Sequence, residues 1–460
     1  MKSKTIEFFR EISKIPRESG NEKEISDYIC EFAKKRNLEY FQDKYNNVII
    51  KKYAGKNEPI ILQAHIDMVC EKESNLDFDF EKDSIEIYEE NGFLKARGTT
   101  LGADNGVGVA QILNILDSDL KVNIEAIFTV AEETTMIGAE NIDVSCLTGK
   151  QMINLDGFEE NTVILESAGF FDIVLNMNYD FSHVCEGECY KITLTGMEGG
   201  HSGFEIDNNK GNSCIELAKL MSKLGDIRIF EFVAGTKFNV IPSQAECKFF
   251  SGVNFEKINE IVKKFEEIEK QKYSGLNVKV MKCFEKGQIL SEDDSKRFLS
   301  AIYSFKNGVF FKNEFGQVTT SHNLGVVDLK EKVMKIGVRS SRKLEEKEII
   351  NYLRKYSKEN EFEFKILGMQ PGFETKKDSE LVKRLISAYE KATGRNDLEL
   401  KAVHITVEAG FFKEKIEGLD VAIISPKICG AHTTKEMVEI KSIEECDKWL
   451  ENFLKMVDRI

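Results

Sequence analysis

Apolar and polar positions along the first 180 or so residues switch between two periods. Apolar residues recur at helical spacing over residues 25–36 and 105–116, and they gather into short β-branched runs at 47–53, 59–69, 122–131 and 152–155. Helices alternating with such strands predict an α/β domain with a mixed, mostly parallel sheet covered on both faces. In sheets of this kind ligands gather at the carboxyl ends of the strands.

From about residue 189 the pattern changes. A strand at 190–194, a helix at 211–224, a strand at 245–250, a charged amphipathic helix at 257–271 and a strand at 277–284 predict a separate α+β domain. A helical pattern over 378–393 and an apolar strand at 419–424 then return to the α/β alternation of the first 180 residues. The simplest organisation is a discontinuous first domain, 1–181 and 371–460, with a second domain, 182–370, inserted between its halves. No internal repeat or low-complexity linker interrupts the pattern.

Composition narrows the classes of function. The chain has 460 residues, 42% of them hydrophobic and 31% charged, the balance of a globular protein with two domains. No apolar run is long enough to span a bilayer, and residues 4–12 lack the apolar core of a signal peptide, so a cytoplasmic location away from membranes is expected. The net charge of −14 excludes a broad basic footprint for nucleic acid and favours small substrates. Ten cysteines are scattered, and the close pair Cys185 and Cys189 lacks the second pair that would complete a zinc cage. They read as reduced thiols, mostly in the core.

The run Ile60-Ile61-Leu62-Gln63-Ala64-His65-Ile66-Asp67-Met68-Val69 delivers a histidine and an aspartate two positions apart. Side chains at i and i+2 of a strand share a face, so His65 and Asp67 can serve one site, although a strand that merely ends in two polar residues reads the same. Asp104 lies in the glycine-rich turn Gly98-Thr99-Thr100-Leu101-Gly102-Ala103-Asp104-Asn105-Gly106 before a helix; alone it would be an N-cap. A nucleotide loop is set aside, because Gly106-Val107-Gly108 lacks a third placed glycine and no Gly-Lys-Ser/Thr follows. Glu132 and Glu133 end an apolar strand, where adjacent carboxylates repel unless a cation or a shared proton offsets them. One can ligate a metal while the other acts as general base; singly they are a solvated turn. Asp156 closes Ile153-Asn154-Leu155-Asp156-Gly157, and His432 follows the late strand as a loop histidine. Together His65, Asp104, Glu133, Asp156 and His432 supply two imidazoles and three carboxylates, a set suited to two zinc-like ions about 3.5–4 Å apart bridged by one carboxylate.

Those segments, with Gly199-Gly200-His201-Ser202-Gly203, occur in the order of the di-zinc aminoacylase/carboxypeptidase-like peptidases, which the chain resembles over nearly its whole length. The Gly-Thr-Thr-Leu-Gly-Ala-Asp-Asn-Gly run, Ser321-His322-Asn323-Leu324-Gly325-Val326-Val327 and Val338-Arg339-Ser340-Ser341 most resemble bacterial aminoacyl-histidine dipeptidases. The resemblance implies a di-zinc catalytic domain with an inserted lid and dimerisation domain. It implies Asp104 as the bridging ligand, His65 and Asp156 completing one metal site, and Glu133 and His432 the other. Zinc is the expected ion, with manganese or cobalt as alternatives. Glu132 would be the general base toward a water held between the ions, and Asp67 would orient His65. His201 would donate to the oxyanion and, in a homodimer, reach the neighbouring subunit's site. Arg339 would clamp the substrate's terminal carboxylate, Asn239 would lie near the carbonyl, and Glu408 would pair with the amine.

His404-Ile405-Thr406-Val407-Glu408-Ala409-Gly410 departs from the His-Ala-Gly-Leu-Glu-Cys-Gly of many relatives, and His432-Thr433-Thr434 from His-Ser-Pro. The bulkier Ile405 and Thr406 would reshape the pocket for the substrate's amino end. The expected activity is hydrolysis of short unblocked peptides, of the Xaa-His dipeptide type. Rival readings are an N-acyl amino acid deacylase and a non-catalytic peptide-binding protein; the intact Glu132 and full ligand set argue against the latter.

Overall fold

Ile60, Leu62 and Ala64 enter one apolar layer while Ile61 enters another. The strand Ile60–His65 is therefore buried at every position, because both faces of its sheet are covered. In the computed structural model, which describes residues 3–56, 58–181, 183–314 and 316–457, this strand runs between and parallel to Asn123–Thr129 and Gln151–Asn154. Asp420–Ile423 extends the parallel block beyond Gln151–Asn154. Antiparallel neighbours flank it, Val48–Tyr53 and Glu39–Gln42 on one side and Thr162–Ser167 on the other, so the nine-stranded sheet is mixed with a parallel centre.

One apolar layer of this sheet is shared with the helices Lys4–Ile12, Lys23–Lys35, Ala103–Leu116, Glu380–Thr393 and Ile440–Val457. Trp449 ties the last two together: its indole N–H donates to Leu385 O at 2.9 Å and its ring meets Tyr389 edge-on with centroids 5.0 Å apart. The opposite layer holds Ile137–Asn141 and Ala409–Lys415. Because the central strands run the same way, their carboxyl ends open on one edge, and the loops after His65, Thr129 and Asn154 begin there.

The second unit is built on an antiparallel sheet. Its order is Asn277–Ile289, His183–Thr195, Ala245–Ser251, Ile227–Gly235, Val318–Asp328, Val333–Ser340, Gly169–Asn176 and Glu363–Gln370, with Gly308–Lys312 added to Val318–Asp328. Helices Ser213–Met221, Phe255–Glu269, Glu292–Ser304 and Lys343–Glu359 share its core.

The compact units are Met1–Glu166 with Phe373–Val403 and Val407–Ile460, and Ser167–Gly372 with His404–Thr406. The sequence pattern places the first boundary at 181/182, beside Ser182, which lies outside the described residues. That the chain divides near residue 166 instead has a simple cause: Gly169–Asn176 pairs along its length with Val333–Ser340 and Glu363–Gln370, which makes it a strand of the second sheet. The apolar run at 59–69 also yields a shorter strand than its length suggests. Ile66 N–H still reaches Thr129 O at 2.8 Å, but Met68 N–H turns to Arg17 O at 3.1 Å. Among the described residues no helix is long and apolar enough to cross a membrane.

Candidate metal centre

His65 is the last residue of its strand and Asp156 lies two residues past the end of the neighbouring parallel strand. Asp104 comes from the turn that opens helix Ala103–Leu116. The register brings them together: His65 Nε2 stands 3.2 Å from Asp104 Oδ1 and 3.7 Å from Asp156 Oδ1. The other Asp104 oxygen, Oδ2, is 3.1 Å from His432 Nε2, which also lies 3.0 Å from Glu133. Ligand atoms of His65, Asp104 and Asp156 thus fall within 4.8 Å of one another, as do those of Asp104, Glu133 and His432, and Asp104 belongs to both sets. Glu132 forms a third such group with His65 and Glu133.

The charges of this cluster do not balance. Burial opposes a charge on His65, yet hydrogen bonds to Asp104, Asp156 and Asp67 outweigh it and raise its pKa well above the ordinary value. Asp104 and Glu133 pull His432 up to about 10. Burial raises Glu132 well above the usual carboxylate range, with the charges of Asp156, Glu408 and Glu133 adding to it. Burial likewise raises Glu133 and Asp156, while hydrogen bonds to both imidazoles overcome burial at Asp104 and hold it low. Buried carboxylates that draw protons onto imidazoles are a cluster short of positive charge, and divalent ions supply it by displacing those protons. The donor set fits two such ions.

Behind the ligands lies a polar layer. Asp67 stands 3.4 Å from His65 Nδ1 and accepts from Ser19 Oγ at 2.7 Å. Gln63, on the strand face opposite Leu62, donates from Nε2 to Glu408 at 2.7 Å and to Thr129 Oγ1 at 3.0 Å, while its carbonyl accepts from Asn154 Nδ2. Asn154 Oδ1 in turn accepts the Asp156 N–H at 3.1 Å. Glu408 is wholly buried here. Its Oε2 is taken by Gln63 and Thr129, its Oε1 has no hydrogen-bond partner among the described residues, and burial pushes its pKa up to about 8. Sequence reasoning misses Ser19, Gln63, Thr129 and Asn154; the one signal that could have found them is the polarity of Gln63 inside an apolar run.

The other expected residues lie in the second unit. Arg339, on Val333–Ser340, is 5% exposed; its guanidinium carbon sits 4.6 Å from the Phe170 ring centroid. Nη2 is 3.4 Å from His201 Nε2, and Nη1 donates to Thr406 Oγ1 at 3.4 Å. Burial and the Arg339 charge lower the His201 pKa. Asn239 lies beside the His201 segment: its carbonyl accepts Ser202 N–H at 2.9 Å, and Val240 pairs with His201. His404, legible in the sequence only as part of a variant motif, lies 2.7 Å from Ser321 Oγ through Nε2. Burial holds it neutral, with a pKa of about 3.

Residues 61–456 match the family described as peptidase family M20/M25/M40. A cytosol non-specific dipeptidase of Escherichia coli (strain K12) is 30% identical over 98% of this chain and 97% of its own. The crystal structure of an aminoacylhistidine dipeptidase from Vibrio alginolyticus is similar with a TM-score of 0.85 at 28% identity, covering 99% of this chain and 96% of its own. Aminopeptidase PepT from Bacillus cereus, 16% identical, shares the fold at a TM-score of 0.58 over 99% of this chain and 98% of its own.

Proposed function

The chain belongs to the M20/M25/M40 peptidase family, and from that membership we propose that it is a cytoplasmic di-metal dipeptidase of the Xaa-His type, acting on short peptides with a free amino end. The observation that supports the di-metal part of this reading is the position of Asp104, whose two oxygens face His65 and His432 separately and so could serve two ligand sets. His65, Asp104 and Asp156 would hold one ion and Asp104, Glu133 and His432 the other. An imidazole and carboxylate set of this size suits zinc first, then manganese or cobalt.

When bound, the ion pair acidifies water and polarises the scissile carbonyl. The chain's own residues do the rest. Glu132 takes the proton from the attacking water and later returns it to the leaving amine. Asp67 fixes the His65 ring. Arg339 offers its fork to the substrate's terminal carboxylate. His201, kept neutral by burial and Arg339, donates to the oxyanion in a homodimer where it serves the partner's centre, with Asn239 beside it. Glu408 keeps one oxygen for the substrate's amine.

Metal content and turnover test the reading together. Protein loaded with two equivalents of Zn²⁺ should cleave free dipeptides and leave N-acetyl amino acids intact. Glu132→Ala should abolish turnover while both ions stay bound. Fully loaded protein that cleaves neither substrate class refutes the enzyme reading, and preference for the acetylated substrate would make it a deacylase.

A further inference from the structure

The turn that carries Asp104 is built like an anion cradle, and the protein fills it from within. Glu436 is 3% exposed, and its carboxylate accepts four consecutive backbone N–H groups: Leu101 at 2.7 Å and Gly102 at 2.8 Å on Oε2, Ala103 at 2.8 Å and Asp104 at 3.2 Å on Oε1. Successive N–H groups opening a helix converge on negative charge, and here no external anion has room to use them. On the carbonyl side of the same turn, Arg17 Nη2 donates to Gly102 O at 2.6 Å. Its Nη1 reaches the carbonyls of Ile66 and Asp67 at 3.3 and 3.2 Å. Glycine is required at 102 on two counts: φ is +67°, and a Cβ would fall 2.3 Å from Arg17 Nη2.

Glu436 is also the last residue of the loop that presents His432. That loop joins the paired strands Ile428–Cys429 and Met437–Glu439. Within it Thr433 N–H bonds Gly430 O at 3.2 Å and Glu436 N–H bonds Thr433 O at 3.0 Å. His432 itself has φ +63°, a left-handed conformation uncommon outside glycine, and its side chain is half exposed. His432 thus reaches Asp104 and Glu133 from a half-exposed loop, and the far end of that loop is the Glu436 carboxylate bound to the Asp104 turn.

We propose that Glu436 is a positioning residue that assembles the Asp104/Glu133/His432 ligand set, by tying the backbone of the bridging aspartate to the His432 loop, while Arg17 ties the same turn to the strand end bearing His65 and Asp67. The inference rests on the di-metal reading above. Glu436 belongs to neither ligand set. Without it Arg17 still ties the Asp104 turn to the His65 strand end while the His432 loop is released, so its loss should separate the two ions: the one held by His432 weakens, the one held by His65 and Asp156 stays.

Titration of metal-free protein with Co²⁺, followed by calorimetry and visible absorbance, tests this, with His432→Ala and His65→Ala as references for the two sites. Glu436→Gln keeps the shape but turns an amide N–H₂ toward backbone donors. It should weaken one ion tenfold or more, match His432→Ala in which absorption bands are lost, and hold the other ion within threefold. Glu436→Asp keeps the charge beside Arg17 and should fall between wild type and Glu436→Gln; where the glutamine variant does not fold, the aspartate variant decides by the same selective loss. Wild-type affinity for both ions in the variants, or equal loss of both, overturns the clamp. Wild-type protein that binds no ion refutes the di-metal reading itself, and the clamp with it.

Discussion

His65 Nδ1 lies 3.4 Å from Asp67 Oδ1, and Asp67 is itself held by backbone N–H groups of Glu132 at 3.1 Å and Glu133 at 3.2 Å. One carboxylate therefore aligns an imidazole at the end of one strand with the acidic pair at the end of the next. Burial would raise its pKa, but His65, Ser19 and the Glu132 N–H outweigh burial and hold it below the ordinary value. Asp67→Asn keeps the volume but turns an amide toward donors. Metal affinity is expected to fall about 10- to 100-fold, whereas His65→Ala should remove an ion outright. Calorimetric titration of both variants checks this; equal losses would make Asp67 a ligand rather than the residue that orients one.

His201 sits beside Arg339 with its pKa lowered. A neutral imidazole donates to an oxyanion without competing for a proton, so His201→Ala is expected to lower kcat about 10²- to 10³-fold. Metal content, read by atomic emission, should stay at the wild-type value. Loss of an ion in this variant would show that His201 belongs to the ligand set.

The candidate site is legible in the sequence because chain direction and chemistry coincide. His65 ends, and Glu133 and Asp156 follow, a parallel strand that its apolar run announces, and parallel strands deliver their loops to one edge. Glu436 and Arg17 leave no such trace. Both act on backbone groups of other segments, and which backbone a charge will meet depends on the fold; in the sequence Glu436 is only a charge near the end of a polar loop. Residues 183–189 are hidden for a different reason. Up to Glu188 the strand His183–Thr195 buries no residue fully; it is held by backbone pairing with Asn277–Ile289, a device without hydrophobic periodicity. Glu408 enters the expected site only through the family resemblance, and its pairing of one oxygen with Gln63 and Thr129 has no trace in the sequence.

Removal of metal should cost stability as well as activity, because Asp104, Glu132, Glu133 and Asp156 are left to share two imidazoles. Each ion present at 100 times its dissociation constant stabilises the native state by about 2.7 kcal/mol. For the unit that binds them this corresponds to a drop in Tm of about 5 °C or more for each ion removed by chelation. Differential scanning calorimetry before and after chelation, and after zinc is restored, measures it. An unchanged, reversible Tm would mean that the acidic cluster is relieved by protons alone.

A titration remote from the centre gives the pH dependence a separate handle. Asp447 accepts from Gln111 Nε2 at 3.0 Å and from Ser3 Oγ at 3.3 Å, and burial pushes its pKa up to about 6. An unfolded aspartate titrates near 3.9, so the folded state takes up the proton more readily. The stability this contributes is complete below about pH 4 and is lost as pH rises through about 6, leaving a buried charge at neutral pH. Asp447→Asn abolishes the titration while keeping an acceptor for Gln111 and a donor for the serine oxygen. The variant is expected to exceed wild type by about 1–2 kcal/mol at pH 8, the side chain retaining some contact with solvent, and the difference should shrink toward pH 5. Urea unfolding of both proteins across that range is the measurement. A difference that does not change with pH would assign the effect to packing instead of charge.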